Sequence, residues 1–241
     1  MSNTRKSSGI GLTGLTRSKV NYPHLTRILS AEFPKLKLDE NTRDLNKIGG
    51  IIIDGKLVSI EEFLTMKNPS VDGDLDLSHN KEITFLPEGL KVGGSLSLRN
   101  TKITSLPEGL EVAGSLWLNN TPITSLPEDL KVGKDLWLRN TNITSLPNDL
   151  KVDGDLNLDR SKITSLPEGL KVGGSLSLIG TNITSLPEGL EVSGSLFLWA
   201  SKITSLPKGL KVKGSVYVDN PFKIKCSEEL KKKLKRSTNK T

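Results

Sequence analysis

Histidine, cysteine and aromatic residues are scarce in this chain of 241 residues. The two histidines are His24 and His79, and the one cysteine is Cys226, so an intramolecular disulfide is excluded. These three side chains show no zinc-site spacing, and no sequence pattern pairs Cys226 with a histidine as nucleophile and base. We therefore expect a protein that is not an enzyme and that has no catalytic residues, no metal and no cofactor.

Long apolar runs are also missing. No stretch reaches the roughly 18 apolar residues of a membrane span, so we expect no transmembrane helix. Residues 1–20 contain no acid and no continuous apolar core, which argues against a secretory signal peptide. We predict a disordered basic tail there, with a Ser/Thr-rich export signal as the alternative. The expected location is the cytoplasm of the producing cell or of an infected host cell.

The middle of the chain lacks a large excess of positive or negative side chains, although the formal net charge of the whole chain is +7. Residues 71–220 contain 15 basic and 18 acidic side chains, whereas residues 221–241 contain 8 basic and 2 acidic ones. A basic terminus of this kind is most often a solvated tail, and the alternative is attraction to nucleic acid or to a membrane. The body therefore lacks the basic stripe typical of nucleic-acid binding.

What the chain does contain is a strict period. Valine recurs every twenty residues from Val92 to Val212, and Leu-Pro pairs open seven turns at the same period. Such a period is typical of a solenoid, in which each unit buries its apolar face against its neighbours. Within the unit SLSLI the residues alternate, so Leu176 and Leu178 are predicted to face the core of a short strand. The predicted fold class is an α/β-type repeat solenoid that is mainly β, with stacked parallel strands.

Each unit also fits the pattern L-x-L-x-x-N-x-L, as at Leu116, Leu118, Thr121 and Ile123. By this pattern and by the Leu-Pro pairs, residues 71–220 resemble the leucine-rich repeat family, in particular its short bacterial and phage type. The resemblance implies a right-handed solenoid with one parallel sheet on its concave face and a cap at each end. The family's asparagine is kept only by Asn80. A hydroxyl residue, expected to accept one backbone hydrogen bond, replaces it at Thr101, Thr121, Thr141, Ser161, Thr181 and Ser201.

The segments beside the repeats are expected to cap the solenoid. Residues 21–70 are predicted to form a helix from Pro23, one or two strands, and a second short helix with Ser59 as its N-cap. Residues 221–241 are predicted to form a short cap helix after Ser227, followed by a basic tail. The predicted organisation is therefore a tail at 1–20, a capping region at 21–70, repeats at 71–220 and a cap with its tail at 221–241.

The outward strand positions carry the most variable residues. All three tryptophans, and five of the ten aromatic residues, fall there. Exposed Trp, Tyr and Arg on a rigid surface are typical of binding hot spots. The alternatives are aromatic ladders that stabilise the sheet, burial in a homo-oligomer, and cover by a cap. The candidate partner-binding residues are Arg99, Trp117, Asn119, Trp137, Arg139, Asp155, Asn157, Asp159, Ile179, Phe197, Trp199 and Tyr217.

This mixture of aromatic, cationic and acidic residues suits a protein partner better than a nucleic-acid backbone. We predict a non-catalytic module that binds a partner protein through the variable face. The family resemblance implies a bacterial or phage-encoded effector or inhibitor of a host factor. The alternatives are nucleic-acid binding through the basic termini, a structural component of a virion or surface assembly, and an enzyme centred on Asp155 and Asp159.

Overall fold

This computed structural model describes residues 50–53 and 56–236. Within these ranges, eight turns of about twenty residues form a solenoid. Each turn contributes two very short strands, and the helices are few and short. The predicted mainly β parallel-sheet solenoid is confirmed. The tail at 1–20 and the helix predicted from Pro23 lie outside the described residues.

A β-hairpin and one short helix stand at the N-terminal end. Strands β1 (Gly50–Ile53) and β2 (Lys56–Ser59) are antiparallel, and helix α1 (Ile60–Thr65) follows them. Ser59 is the N-cap of α1, as predicted, and its Oγ accepts the N–H of Glu62 at 3.1 Å. Ile51 and Phe63 are completely buried, so this segment closes the apolar core at its first turn.

The strands predicted at the leucine positions, together with one strand of the C-terminal cap that was not predicted, form a nine-stranded parallel sheet, here called the leucine sheet. Leu136 pairs with Leu116 on one side and with Leu156 on the other, so equivalent residues of successive turns are neighbours. In chain order the strands are β4 (Leu75–Asp76), β6 (Leu96–Ser97), β8 (Leu116–Trp117), β10 (Leu136–Trp137), β12 (Leu156–Asn157), β14 (Leu176–Ser177), β16 (Leu196–Phe197), β18 (Val216–Val218) and β19 (Leu234–Arg236).

A second parallel sheet of eight strands, here called the valine sheet, was not predicted. One sheet was expected, because a Lys-Val or Glu-Val pair is too short to show the alternation of a strand. In the folded chain the period brings these pairs into register, Val152 beside Val132 and Val172. The strands are β3 (Ser70–Val71), β5 (Lys91–Val92), β7 (Glu111–Val112), β9 (Lys131–Val132), β11 (Lys151–Val152), β13 (Lys171–Val172), β15 (Glu191–Val192) and β17 (Lys211–Val212).

Six aliphatic side chains per turn build the core. Because equivalent positions of successive turns lie beside one another, these side chains form one continuous cluster, from Ile51 in the hairpin to Leu230 near the C-terminus. Burial of this apolar surface is the main force that stacks the turns. In one central turn the six residues are Leu176, Leu178, Ile183, Leu186, Leu190 and Val192.

The hydroxyl residues that stand where the leucine-rich repeat pattern has asparagine are mostly buried. Ser161 accepts a backbone N–H as expected, from Ile163 at 3.5 Å, whereas the hydrogen bonds of the other five run in the opposite direction. Oγ1 of Thr121 donates to the carbonyl oxygen of Leu118 at 2.7 Å, and Thr181 makes the equivalent bond at 2.8 Å. The turn after each strand directs a leucine carbonyl at this position, and these hydroxyls donate to it. Asn80 is also buried, and its Oδ1 accepts the N–H of Glu82 at 2.9 Å.

The corner between the two sheets leaves little room for a side chain. A Cβ on Gly174 would lie 2.7 Å from the carbonyl carbon of Gly154 and 2.2 Å from Oδ1 of Asp155. The corners of these two successive turns are joined by a hydrogen bond, in which the N–H of Gly174 donates to the carbonyl oxygen of Gly154 at 2.8 Å. The close approach of successive turns therefore favours glycine at this corner, and Lys134 is the exception, with hydrogen bonds of 3.1 Å to the corners on either side.

The C-terminal cap consists of a 3-10 helix (Pro221–Lys223), helix α2 (Glu228–Lys231) and strand β19. Ser227 is the N-cap of α2, as predicted, and its Oγ accepts the N–H of Leu230 at 3.4 Å. Leu234 pairs with Val216, so the first part of the basic run continues the leucine sheet.

Candidate functional site

All twelve predicted site residues lie on the outward side of the leucine sheet, here called the strand face. They alternate with the buried leucines and therefore face away from the core. Most are half-buried, because adjacent strands place their side chains side by side, and Arg99, Arg139 and Asp155 are exposed. The strand face has three columns of side chains: the first precedes the two inward residues of each strand, the middle lies between them, and the last follows them.

The first column is a ladder of hydrogen bonds, which accounts for its serine and aspartate residues. Each side chain accepts the backbone N–H of the same position in the next turn. The N–H of Asp155 donates to Oδ1 of Asp135 at 2.9 Å, and the N–H of Ser175 donates to Oδ1 of Asp155 at 2.7 Å. Ser195 and Ser215 continue the ladder at 3.1 and 3.3 Å. Asp155 therefore supports the sheet while its charge stays at the surface.

Four residues near the N-terminal end of the strand face, Arg99, Trp117, Trp137 and Arg139, are here called the tryptophan cluster. The guanidinium carbon of Arg99 lies 4.9 Å from the centroid of the Trp117 ring, a cation–π contact. Trp117 and Trp137 are register partners on adjacent strands. Asn119 lies beside them, and its Oδ1 accepts the N–H of Arg139 at 3.1 Å. The cluster thus combines two indoles with two cations.

Three residues near the other end, Phe197, Trp199 and Tyr217, are here called the aromatic stack. The rings of Phe197 and Tyr217 are parallel within 7°, with centroids 4.9 Å apart. The Trp199 ring meets both edge-on, at 6.0 and 6.1 Å. Contacts of this kind stabilise a sheet by about 0.5–1.5 kcal/mol each. The aromatic ladder expected as an alternative role is therefore present at this end.

Two indole nitrogens on the strand face are buried without a hydrogen-bond partner, Nε1 of Trp137 and Nε1 of Trp199. Within the described residues they are the only buried side-chain nitrogen or oxygen atoms in this state. One belongs to the tryptophan cluster and the other to the aromatic stack. A buried donor without an acceptor costs about 1–3 kcal/mol, so both rings are held at an energetic disadvantage.

The centre of the strand face is acidic and internally hydrogen-bonded. Oδ1 of Asp159 accepts the Ser177 hydroxyl and the N–H of Ile179, the latter at 3.0 Å. Oδ2 of Asp159 accepts Nδ2 of Asn157 at 3.2 Å. These bonds hold Asp159 in place and leave its negative charge, with that of Asp155, between the two aromatic groups.

An asparagine ladder at the ends of three strands was missed by the sequence analysis. Asn100, Asn120 and Asn140 have left-handed backbone with φ of 58°, 58° and 55°. Nδ2 of Asn120 donates to Oδ1 of Asn100 at 3.0 Å, and Nδ2 of Asn140 donates to Oδ1 of Asn120 at 2.9 Å. The available signal was asparagine itself, which tolerates this conformation better than most residues.

Two cations at the C-terminal edge were also missed. Strand β19 pairs Lys235 with Tyr217 and Arg236 with Val218, so Lys235 extends the middle column beyond the aromatic stack. This run was predicted to be a tail because most of its residues are lysines. Leu234 is the one apolar residue between Lys231 and Lys240, so the sequence there has no alternation that would indicate a strand.

The outward side of the valine sheet carries lysines and glutamates of both signs. Glu111 lies between Lys131 at 2.7 Å and Lys91 at 3.4 Å, and hydrogen bonds from these lysines, Lys131 first, lower the pKa of Glu111. Glu191 repeats the arrangement with its two neighbouring lysines at 2.9 and 3.7 Å. A groove of about 770 Å³ lies over Glu111 and its partners. Exposed pairs of this kind contribute little to stability.

Of the side chains considered for chemistry, His79 and Cys226 lie at different ends of the solenoid, and His24 is outside the described residues. His79 is in the first turn, and Cys226 is in the C-terminal cap, where burial raises the pKa of its thiol. Across residues 50–53 and 56–236, no three His, Cys, Asp or Glu side chains are grouped as metal ligands would be. In the same ranges no helix has the length and apolar character needed to cross a bilayer.

A scan against protein-family models finds no matching family, and a search of curated proteins finds no matching relative. The geometry of the strand face is therefore the main guide to function.

Proposed function

We propose that the protein is a non-catalytic module that binds a partner protein through the strand face. The observation that carries the proposal is that all three tryptophans of the chain lie on this face, outside the core. Six aliphatic side chains per turn already fill the core. Each ring contact of Trp199 stabilises the sheet by about 0.5–1.5 kcal/mol, whereas an indole at the centre of a protein interface contributes about 2 kcal/mol or more.

The charges of the strand face indicate the chemistry of the partner. Trp137 and Phe197 are three strands apart, which corresponds to about 14 Å at about 4.8 Å per strand. The negative charges of Asp155 and Asp159 lie between them. A complementary protein surface would contribute two apolar contacts with a basic or neutral polar group between them, and acidic groups opposite Arg99.

The unpaired indole nitrogens support the same proposal. Nε1 of Trp137 and Nε1 of Trp199 lack an acceptor among residues 50–53 and 56–236. Rotation of either ring during binding would offer its N–H to a carbonyl or carboxylate of the partner. Because the unpaired state is costly, a partner that supplies these acceptors gains affinity.

Family membership and biological setting are parts of this proposal. We infer a leucine-rich repeat protein, because the L-x-L pattern, the period of twenty and the parallel leucine sheet all agree with that family. The setting of a bacterial or phage-encoded effector, acting on a host factor in the cytoplasm, rests on the family resemblance alone.

The experiment compares two triple variants. The test variant replaces Trp117, Trp137 and Trp199 by serine, and the control variant replaces Lys131, Lys151 and Lys171 of the valine sheet by serine. Circular dichroism checks that both are folded. Each is used to capture proteins from a nuclease-treated host-cell lysate in moderate salt. We expect the intact protein and the lysine variant to retain the same partner and the tryptophan variant to lose it.

The captured partner is then purified and titrated. Because every tryptophan lies on the strand face, partner binding should change the tryptophan emission of the intact protein in a saturable way. By calorimetry, the tryptophan variant should bind at least about thirtyfold more weakly, since a hot-spot residue contributes about 2 kcal/mol or more. Equal affinity of the intact protein and the tryptophan variant would disprove the proposed site.

A further inference from the structure

The C-terminal end of the solenoid is far more basic than the turns before it. Residues 202–236 contain eleven basic and three acidic side chains, a net charge of +8. Residues 71–201 contain eleven basic and seventeen acidic side chains, a net charge of −6. The first group comprises the last turn and the cap, which is joined to that turn through the pairing of β19 with β18. The positive charge is therefore concentrated at one end of the molecule.

Phe222 protrudes from this basic end. This residue is 97% exposed, and the one other strongly exposed large apolar residue in the described ranges, Phe85 in the first turn, is 51% exposed. The backbone of Phe222 is held in the 3-10 helix, because Oδ1 of Asn220 accepts its N–H at 3.1 Å and Pro221 restricts the preceding φ. The protrusion is thus built into an ordered turn.

Exposed cations surround the base of this turn. Lys223 and Lys225 are close to Phe222 in the chain, and contact between the 3-10 helix and β19 brings Lys235 and Arg236 to the same part of the cap. None of these four cations has an ion-pair partner within the described residues. Their charges therefore face solvent together with an apolar ring.

We propose that this end docks on an anionic lipid surface, with Phe222 inserted at the headgroup boundary and the lysines over the headgroups. One apolar insertion combined with a basic patch is the pair of signals that peripheral membrane attachment needs. A single-stranded nucleic acid would instead need several aromatic platforms along a basic groove, and the cap presents one protruding ring. The proposal is independent of the strand face and of its partner.

The test is sedimentation of the full chain with vesicles at near-physiological salt. One set of vesicles contains phosphatidylcholine alone, and the other also contains phosphatidylserine. We expect binding to the second set only. Phe222→Ser should weaken it about ten- to hundredfold, and Phe85→Ser, the matched control at the other end, should leave it unchanged. Joint replacement of Lys223 and Lys225 by glutamine should weaken it by roughly thirtyfold.

Insertion is tested separately by Phe222→Trp in the variant whose three native tryptophans are serine. Its emission should shift to shorter wavelength with phosphatidylserine vesicles, and an unchanged spectrum would overturn the insertion of residue 222. Equal binding to both vesicle types, no binding, or binding insensitive to Phe222→Ser would overturn the proposal. The proposal would also be overturned if the protein bound a single-stranded oligonucleotide more tightly and was displaced by it from the vesicles. The variant with serine in place of the three tryptophans should still sediment with the phosphatidylserine vesicles. Failure of the strand-face proposal can therefore be distinguished from failure of the lipid proposal.

Discussion

Replacement of Gly174 by alanine measures how closely successive turns of the solenoid approach each other. The added Cβ would lie 2.7 Å from the Gly154 carbonyl carbon and 2.2 Å from Oδ1 of Asp155. The Gly154 backbone cannot retreat without lengthening its 2.8 Å hydrogen bond with Gly174, and such overpacking costs about 1–3 kcal/mol. Displacing Asp155 also weakens its bond with the N–H of Ser175, worth about 1 kcal/mol. We expect a total loss of about 2–4 kcal/mol.

The assay is urea unfolding, followed by far-ultraviolet circular dichroism for the whole solenoid and by tryptophan fluorescence for the strand face. Coincidence of the two transitions would justify a two-state free energy of unfolding. Gly93→Ala is the matched control, because its Cβ would have its nearest heavy atom at 3.3 Å. This variant should lose less than about 1 kcal/mol. If Gly174→Ala is as stable as the unchanged protein, or if both variants lose the same free energy, close approach is not what requires glycine at the corner.

Two further predictions concern the buried hydroxyl of Thr181 and the half-buried thiol of Cys226. Thr181→Val removes the hydroxyl that donates to Leu178 at 2.8 Å, while the Thr181 N–H continues to donate to the same carbonyl, so we expect a loss of about 1 kcal/mol in urea unfolding. Thr184→Val, at an exposed position of the same turn, should change the stability by less than about 0.5 kcal/mol, and an equal effect of the two variants would contradict the role of the buried hydroxyl. Because burial raises the pKa of the Cys226 thiol above its ordinary value of 9.0, a thiol-specific reagent at about pH 8 should react more slowly in buffer than in urea, and equal rates would refute this. The same shift means that the stability contributed by the protonated thiol is present below pH 9.0 and is lost as the pH rises through the folded-state pKa.

The repeat architecture and much of the capping were predictable because their signals are local and repeated. An alternation such as Leu176 and Leu178 indicates which side of a strand is buried, and recurrence at twenty residues indicates that the strands stack. Ser59 and Ser227 could be recognised as N-caps because the residue type and spacing of such caps are specific. The side of the strand that carries the candidate site followed from the same alternation.

The valine sheet and the roles of single polar residues were not predictable. A Lys-Val pair becomes a strand only when the pairs of the neighbouring turns lie beside it. Thr121 was expected to accept a hydrogen bond and instead donates one, because the direction is decided by the backbone group that the turn places opposite the hydroxyl. Asp155 could be assigned to the surface from sequence, but its bond with Ser175 depends on the neighbouring turn.

The sequence by itself determined the period, the residues that form the core and the outward positions that vary, because these depend only on residue type and spacing along the chain. The tertiary structure decided which outward residues meet. It stacked Phe197 on Tyr217, left the indole nitrogens of Trp137 and Trp199 without acceptors, and brought Lys235 to the edge of the aromatic stack. The physical reason is that hydrogen bonds, ring contacts and charge clusters depend on distances between turns, which exist only after the apolar core has stacked them.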